Sequence, residues 1–203
     1  GAEKQLIQAL TGRQVPGGAL PASVGCAVFN VATCASVYEA VYKGRPITRR
    51  IVTVTGEGIR TPMNLIVRIG TPFSQVVEAA GGLTEDIWKV ISGGPMMGVA
   101  QRDLRASVIK GTTGILCRTA RQNGEVAHPT CIRCAKCVAA CPMKLQPLYL
   151  YRFEAAGDLD QLRRLNAMDC IECGCCAHLC PGKQQLVEKI RAAKKRLKEA
   201  SAQ

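Results

Sequence analysis

The sequence predicts an α+β chain in which a β-grasp module stands between two helical ends. Three observations carry this. Residues 49–92 alternate extended and helical periods in the order strand, strand, helix, strand. Residues 3–10 and 33–43 on one side, and most of 147–200 on the other, keep helical spacing. Eight of the 12 cysteines fall into two copies of one spacing within the last third of the chain, which makes that third a ligand-bearing unit.

Residues 3–10 stop at Thr11-Gly12, and Pro16-Gly17-Gly18 and Pro21 mark an irregular crossing. Residues 25–31 are short and β-prone, and 33–43 read as a second helix with Thr33 as N-cap and Gly44 just past its end. Two helices and one strand make an incomplete unit, as expected of the tail of a domain. The start at Gly1-Ala2-Glu3, without methionine, likewise reads as a piece of something longer. From Arg49 the period becomes extended, giving strands at 51–55 and 63–69. Thr71-Pro72 caps a helix over 73–80 that Gly81-Gly82 ends, and 89–92 is a further strand before the glycine-rich turn 93–98. Residues 112–118 add an edge strand, and 119–128 are a polar link. After the first cysteine group, a helix starts near Pro147, Gly157-Asp158 turns the chain with Asp158 as N-cap, and helices follow over 159–168 and 184–200. The boundaries are therefore 1–47, 48–118, 119–128 as linker, and 129–203.

Cys131, Cys134, Cys137 and Cys141 recur as Cys170, Cys173, Cys176 and Cys180, each set closed by a proline, Pro142 or Pro181. This is the bacterial ferredoxin run C-x2-C-x2-C-x3-C-P, and it predicts two 4Fe-4S clusters. Three cysteines two residues apart grip one cubane, while the fourth, past a short turn, points to the other. One cluster is assigned to Cys131, Cys134, Cys137 and Cys180, the second to Cys170, Cys173, Cys176 and Cys141. Structural zinc asks for two separated pairs and has no use for the third cysteine. Cysteines this close in a loop rarely bridge, which disfavours a disulfide framework.

The chain has 203 residues, 47% of them hydrophobic, enough for an ordinary core. No apolar run reaches the roughly 20 residues of a membrane span, and no signal peptide opens the sequence. Cysteine-rich metal runs without an export signal point to the cytosol. The formal charge of +12 counts cysteines as neutral; two oxidised clusters would bring it to roughly +8. The excess gathers near the end, at Lys183, Lys189, Arg191, Lys194, Lys195, Arg196 and Lys198. No aromatic residues interleave with that charge, so a nucleic-acid site is not expected. A solvated helix face, an acidic protein partner and an anionic membrane surface remain open.

The two cysteine loops resemble those of the C subunit of the Rnf-type electron transport complex. The resemblance extends through Gly1-Ala-Glu-Lys-Gln-Leu, Gly18-Ala-Leu-Pro-Ala, Ser92-Gly-Gly-Pro-Met-Met-Gly and Lys110-Gly-Thr-Thr-Gly, nearly the whole chain. It implies the remnant of a nucleotide/flavin domain over 1–47, a soluble-ligand-binding β-grasp module, and a helical two-cluster ferredoxin domain. It also implies a peripheral subunit on the cytoplasmic side of the cell membrane. Its partners would be the other subunits of the complex and ferredoxin or a cluster-bearing subunit, with electrons passed between ferredoxin and NAD and coupled to ion movement. FMN and NAD(H) are implied for the full-length parent. The glycine-rich loop that seats flavin phosphate in that family is absent here, so this chain is not expected to hold flavin, and Glu3 alone does not make a nucleotide site. A cobalamin reductase of bacterial microcompartments, a relative with the same module order, and a ligand-binding module with purely structural metal are the competing readings.

Among single residues, Cys175 replaces Lys136 of the first loop and reads as a spare buried thiol or a substitute ligand. Cys26, Cys34 and Cys117 read as small buried hydrophobes, and Trp88, Met96 and Met97 as β-grasp core. His178 either donates toward a cluster sulfur or faces water. No catalytic residue is expected, because no nucleophile or paired-carboxylate arrangement is present.

Overall fold

The computed structural model describes residues 2–84, 87–120 and 129–201. Its elements are α1 (Glu3–Thr11), α2 (Val31–Lys43), β1 (Arg49–Thr55), β2 (Met63–Arg68), α3 (Phe73–Ala79), β3 (Ile87–Ser92), β4 (Val99–Gln101), β5 (Gly114–Thr119), α4 (Lys136–Ala139), α5 (Pro147–Ala156), α6 (Leu159–Arg164), α7 (Cys175–His178) and α8 (Leu186–Ser201). They form two compact units. One joins Gly1–Val28 to Glu125–Gln203, and the other is Phe29–Gly124.

In the second unit, alternation places Val52 and Val54 of β1, Val67 of β2, Val90 of β3, and Ile115 and Cys117 of β5 in one core. Phe73, Val76 and Val77 of α3, with Ala80, cover that core. Burying a large apolar side chain of this kind contributes about 1.5–3 kcal/mol, so this single short helix can hold the sheet closed. The strand order is β2-β1-β5-β3-β4, with β1 and β5 parallel and the other pairs antiparallel. With a helix packed on one face, that order is the β-grasp arrangement.

The strand expected at the edge, β5, is in fact central. A parallel pair needs a long crossover, and local sequence does not reveal which strand will fill the gap beside β1. At the β1 exit, Gly56 takes φ +112°, and a Cβ there would overlap the Cys117 carbonyl oxygen; this close approach requires glycine.

Further expectations are corrected. Residues 25–31 form no strand; a 3-10 turn over Pro21–Val24 precedes them. The second helix begins at Val31, not after Thr33, because the Asn30 side chain accepts from the Ala32 amide at 2.9 Å and caps it earlier. The short β4 follows the glycine turn, where the residue pattern announces no strand. Trp88 is not core. It lies where the β3–β5 register shifts, half-exposed, with the Lys89 ammonium 3.9 Å from its ring centroid. Met96 and Met97 are exposed in the turn before β4. The apolar side chains of α2, Val31, Val37, Tyr38, Val41 and Tyr42, are also exposed. Of the expected linker, residues 121–128 lie outside the described residues.

In the first unit, α5 and α8 pack together with α6 against both. Leu145, Leu150, Leu162, Ala167, Ile190, Ala193 and Leu197 form the core. Asp158 caps α6 as expected, its carboxylate accepting from the Gln161 amide at 3.0 Å. The helix predicted to reach residue 168 stops at Arg164. Asn166 takes φ +53°, a conformation asparagine tolerates better than most residues, and a 3-10 turn over Ala167–Asp169 leads into the second cysteine loop. Helix α1 buries Ile7, and its Gln5 side-chain amide donates to Met143 Sδ at 2.7 Å, which ties it to the cysteine segment.

Candidate metal centres

The two cysteine loops are one structure written twice. Cys131 and Cys170, 39 residues apart, open them, and every feature that follows recurs at that offset. Positive φ appears at Arg133 and Glu172 (56° and 55°), at Ala135 and Gly174 (57° and 83°), and at Lys144 and Lys183 (56° and 51°). Left-handed backbone at a non-glycine residue costs roughly 1–2 kcal/mol and persists only where the surroundings impose it. Here it curls the chain so that amides face the sulfurs. The Arg133 amide donates to Cys131 Sγ and the Glu172 amide to Cys170 Sγ, both at 3.4 Å. The Leu145 amide donates to Cys141 Sγ at 3.3 Å and the Gln184 amide to Cys180 Sγ at 3.4 Å. Inward-facing amides of this kind make concavities for anions, iron–sulfur cores included.

Each loop continues into a single helical turn, α4 or α7, and the two turns pack on each other. That contact brings the fourth cysteine of each run to the opposite loop. One cavity, where about 350 Å³ is free of protein atoms with open solvent included, is lined by Cys170, Cys173, Cys176 and Cys141. The other, with about 300 Å³ of such space, is lined by Cys131, Cys134, Cys137 and Cys180. Gly182 closes the second: a Cβ there would overlap the Thr130 carbonyl oxygen, so the Cys180 turn lies against the start of the Cys131 loop. Among the described residues no three His, Cys, Asp or Glu side chains gather as one ion requires. Four thiols around a shared cavity, with amides aimed at their sulfurs, fit a cubane whose four irons each take one ligand.

The surroundings of the two cavities differ. Cys141 and Cys170 pack against the helical core, and Cys176 is buried. Cys131 and Cys134 are exposed. Burial pushes the thiols of Cys137 and Cys170 up, and that of Cys176 to about 12. Such thiols stay protonated until a metal takes the proton's place.

Two carboxylates not singled out in the sequence hold the second loop and its helix. Glu172 receives Lys194 Nζ at 2.6 Å and Arg191 Nε at 2.7 Å, and Lys194 also donates to the Cys170 carbonyl at 2.9 Å. Burial pushes the Glu172 carboxyl up, but these cations more than offset it and hold the group below its ordinary range. Glu154, buried on α5, faces Lys189 at 3.1 Å and Arg196 at 3.7 Å on α8. Four of the seven cations read from the sequence as a basic face are thus engaged in internal ion pairs. The signal available was a glutamate within a cysteine loop and a second on the preceding helix, each needing a buried counter-charge.

The remaining cysteines separate. Cys117 is buried, its thiol pushed up to about 11, as expected of a core thiol. Cys34 is exposed and Cys26 only half-buried, so neither is the small core residue anticipated. Cys175 is also half-buried, and the neighbouring Cys173 side chain holds its thiol above the usual range. His178 is exposed.

Comparison with known proteins finds three family matches along the chain. Residues 1–39 match the Nuo51 FMN-binding domain, 51–100 the SLBB domain and 130–183 the 4Fe-4S dicluster domain. The chain is 48% identical over 198 residues to the C subunit of the Na(+)-translocating ferredoxin:NAD(+) oxidoreductase complex of Acetobacterium woodii, covering 97% of this chain and 44% of that protein. It is 48% identical over 150 residues to the C subunit of the proton-translocating ferredoxin:NAD(+) oxidoreductase complex of Clostridium ljungdahlii, covering 74% of this chain and 33% of that protein. With the C subunit of the ion-translocating oxidoreductase complex of Rhodobacter capsulatus the identity is 43% over 98% of this chain and 38% of the relative. The chain therefore spans less than half the length of these relatives, and over nearly all of its own length it belongs to the family of these C subunits.

Proposed function

We propose that this chain relays single electrons through two 4Fe-4S clusters, as part of a peripheral subunit of a membrane ferredoxin:NAD oxidoreductase that couples electron flow to ion translocation. The observation that carries the proposal is the pair of cavities, each lined by three cysteines of one loop and the fourth of the other. The first site is formed by Cys131, Cys134, Cys137 and Cys180, the second by Cys170, Cys173, Cys176 and Cys141. When bound, the clusters supply one-electron carriers whose potentials follow from hydrogen bonds to sulfur and from exposure. The protein's part is to hold eight thiolates, aim the Arg133, Glu172, Leu145 and Gln184 amides at them, and exclude water from the Cys170 side. None of this needs a side chain to move, which suits a relay. The modules would run 1–47, 48–118 and 129–203, joined by 119–128. FMN and NAD(H) would be held by the longer parent, and the subunit would sit on the cytoplasmic face. Among the described residues no helix is long and apolar enough to cross a membrane, which suits peripheral attachment. The relatives' names favour this over a corrinoid reductase or a structural metal module.

The test is anaerobic reconstitution with iron and sulfide, followed by EPR of the reduced protein. About eight iron and eight sulfide per chain and two interacting centres are expected. Stoichiometric zinc, or clusters that dithionite cannot reduce, would overturn the proposal.

A further inference from the structure

We infer that the loop 131–136 is the port through which the chain exchanges electrons with an acidic one-electron carrier protein. This rests on the proposal that clusters occupy the two cavities, and it assigns them unequal roles.

Backbone and cysteine spacing are the same in the two loops, yet what surrounds them is not. Residues 131–136 are all exposed, whereas their counterparts 170–175 are buried or half-buried. Arg133 stands where the second loop has Glu172, and Lys136 where it has Cys175. Glu172 is locked to α8 by Arg191 and Lys194, while Arg133 makes no ion pair among the described residues. Among the described residues no carboxylate lines the first cavity, and Lys183 is exposed just beyond its Pro181-Gly182 wall. Ile132, which lines the same cavity as Arg133, is 64% exposed.

Electron transfer weakens steeply with distance, so exchange with another protein proceeds from the centre nearest the surface, here the Cys131 side. An exposed apolar residue with exposed cations beside it in the same loop suits a small interface of the weak redox kind, with a contact point and a charged rim. Its complement is an acidic surface over the partner's own centre, and long-range attraction would speed the encounter by about 10-fold or more at low salt. The Cys170 side, packed on the helical core, then receives the electron from its neighbour and is shielded from partners.

The experiment uses the reconstituted full-length subunit, with an acidic two-cluster ferredoxin as probe. Arg133→Glu with Lys136→Glu reverses the rim, and position 133 accepts glutamate because Glu172 holds the same φ in the twin loop. The control, Lys195→Glu with Lys198→Glu, makes the same charge change on α8. Iron, sulfide and EPR first establish that both clusters are present; their absence from the unaltered protein would defeat the parent proposal instead. With clusters present, binding and the second-order rate of reduction should fall about 10-fold or more at low salt for the rim variant and converge with wild type at high salt. The control should change less than threefold. Equal losses in both variants, or none in the rim variant, would overturn the inference. Should rim reversal disturb cluster content, the neutral pair Arg133→Gln and Lys136→Gln should give a smaller loss in the same direction, and the absence of such a loss would likewise overturn it.

Discussion

Replacing Lys194 by methionine should loosen one cluster and leave the other alone. The Lys194 side chain is 19% exposed and Glu172 26%, so their 2.6 Å ion pair is neither a surface contact nor fully sealed. A hydrogen bond to a charged group contributes about 1.5–3 kcal/mol when buried, and partial solvation with Arg191 still in place lowers this toward about 1–2 kcal/mol. Methionine keeps the aliphatic packing, so the loss is electrostatic, plus one donor taken from the Cys170 carbonyl. If cluster release begins with the second loop leaving α8, 1–2 kcal/mol is about 5- to 30-fold in rate. The assay is anaerobic iron release to a chelator, with EPR reporting which centre survives. Glu172→Gln should act in the same direction, and the double variant should be little worse than the more damaging single, because one interaction is removed twice. The folded Glu172 carboxyl lies below its reference value of 4.5, so the ion pair's contribution is complete above that pH and disappears only as pH falls through the lowered value. Wild-type release from Lys194→Met, equal acceleration at both centres, or additive losses would refute the reasoning.

Cys180→Ser should destroy the cluster on the Cys131 side and spare the Cys170 side, as read by EPR, since Cys180 lines the first cavity; damage confined to the other centre would refute the crossed assignment. Gly182→Ala should do the same without touching a ligand, because the added methyl meets the Thr130 carbonyl. On exposure to air the Cys131 centre should bleach first, its first two cysteines being exposed while Cys176 is buried. Leu162→Ala, at a fully buried position of the helical core, should cost about 2–5 kcal/mol, measured by denaturation of the reconstituted protein. A loss below about 1 kcal/mol would remove Leu162 from that core.

What could be read from the sequence was whatever a short window encodes. The two cysteine runs, the Asp158 cap, the strands around 51–55 and 63–69 and the helix after Pro72 each depend on a few neighbouring residues. What could not be read depends on distant partners. Residues 112–118 give a strand pattern, but whether it lies at an edge or beside β1 is decided by a parallel crossover that no local signal marks. Trp88 and the Met96-Met97 pair are apolar, yet a register shift and a glycine turn leave them outside the core. Asn30 outcompetes Thr33 as a cap because it comes first and satisfies an amide that would otherwise be unpaired. The lysines and arginines of α8 read as a basic face in the sequence, and only the folded positions of Glu154 and Glu172 show that four of them are held in ion pairs.

The divergence of the two halves follows from where each supporting helix stops. α5 ends at Gly157, which takes φ +74° and turns the chain into α6, whereas its counterpart α8 continues past the equivalent position, Arg196, to Ser201. The first loop's equivalent of Glu172 is Arg133, and the α5 residue equivalent to Lys194 is Ala155, so no ion pair of this kind can form in the first half. A duplicated cysteine loop would otherwise make two interchangeable centres. The longer second helix and one acidic residue facing its two cations suffice to make one centre interior and leave its twin at the surface. On the proposed relay this asymmetry would give electron flow a direction, since two equally exposed centres would exchange electrons with a partner from either side.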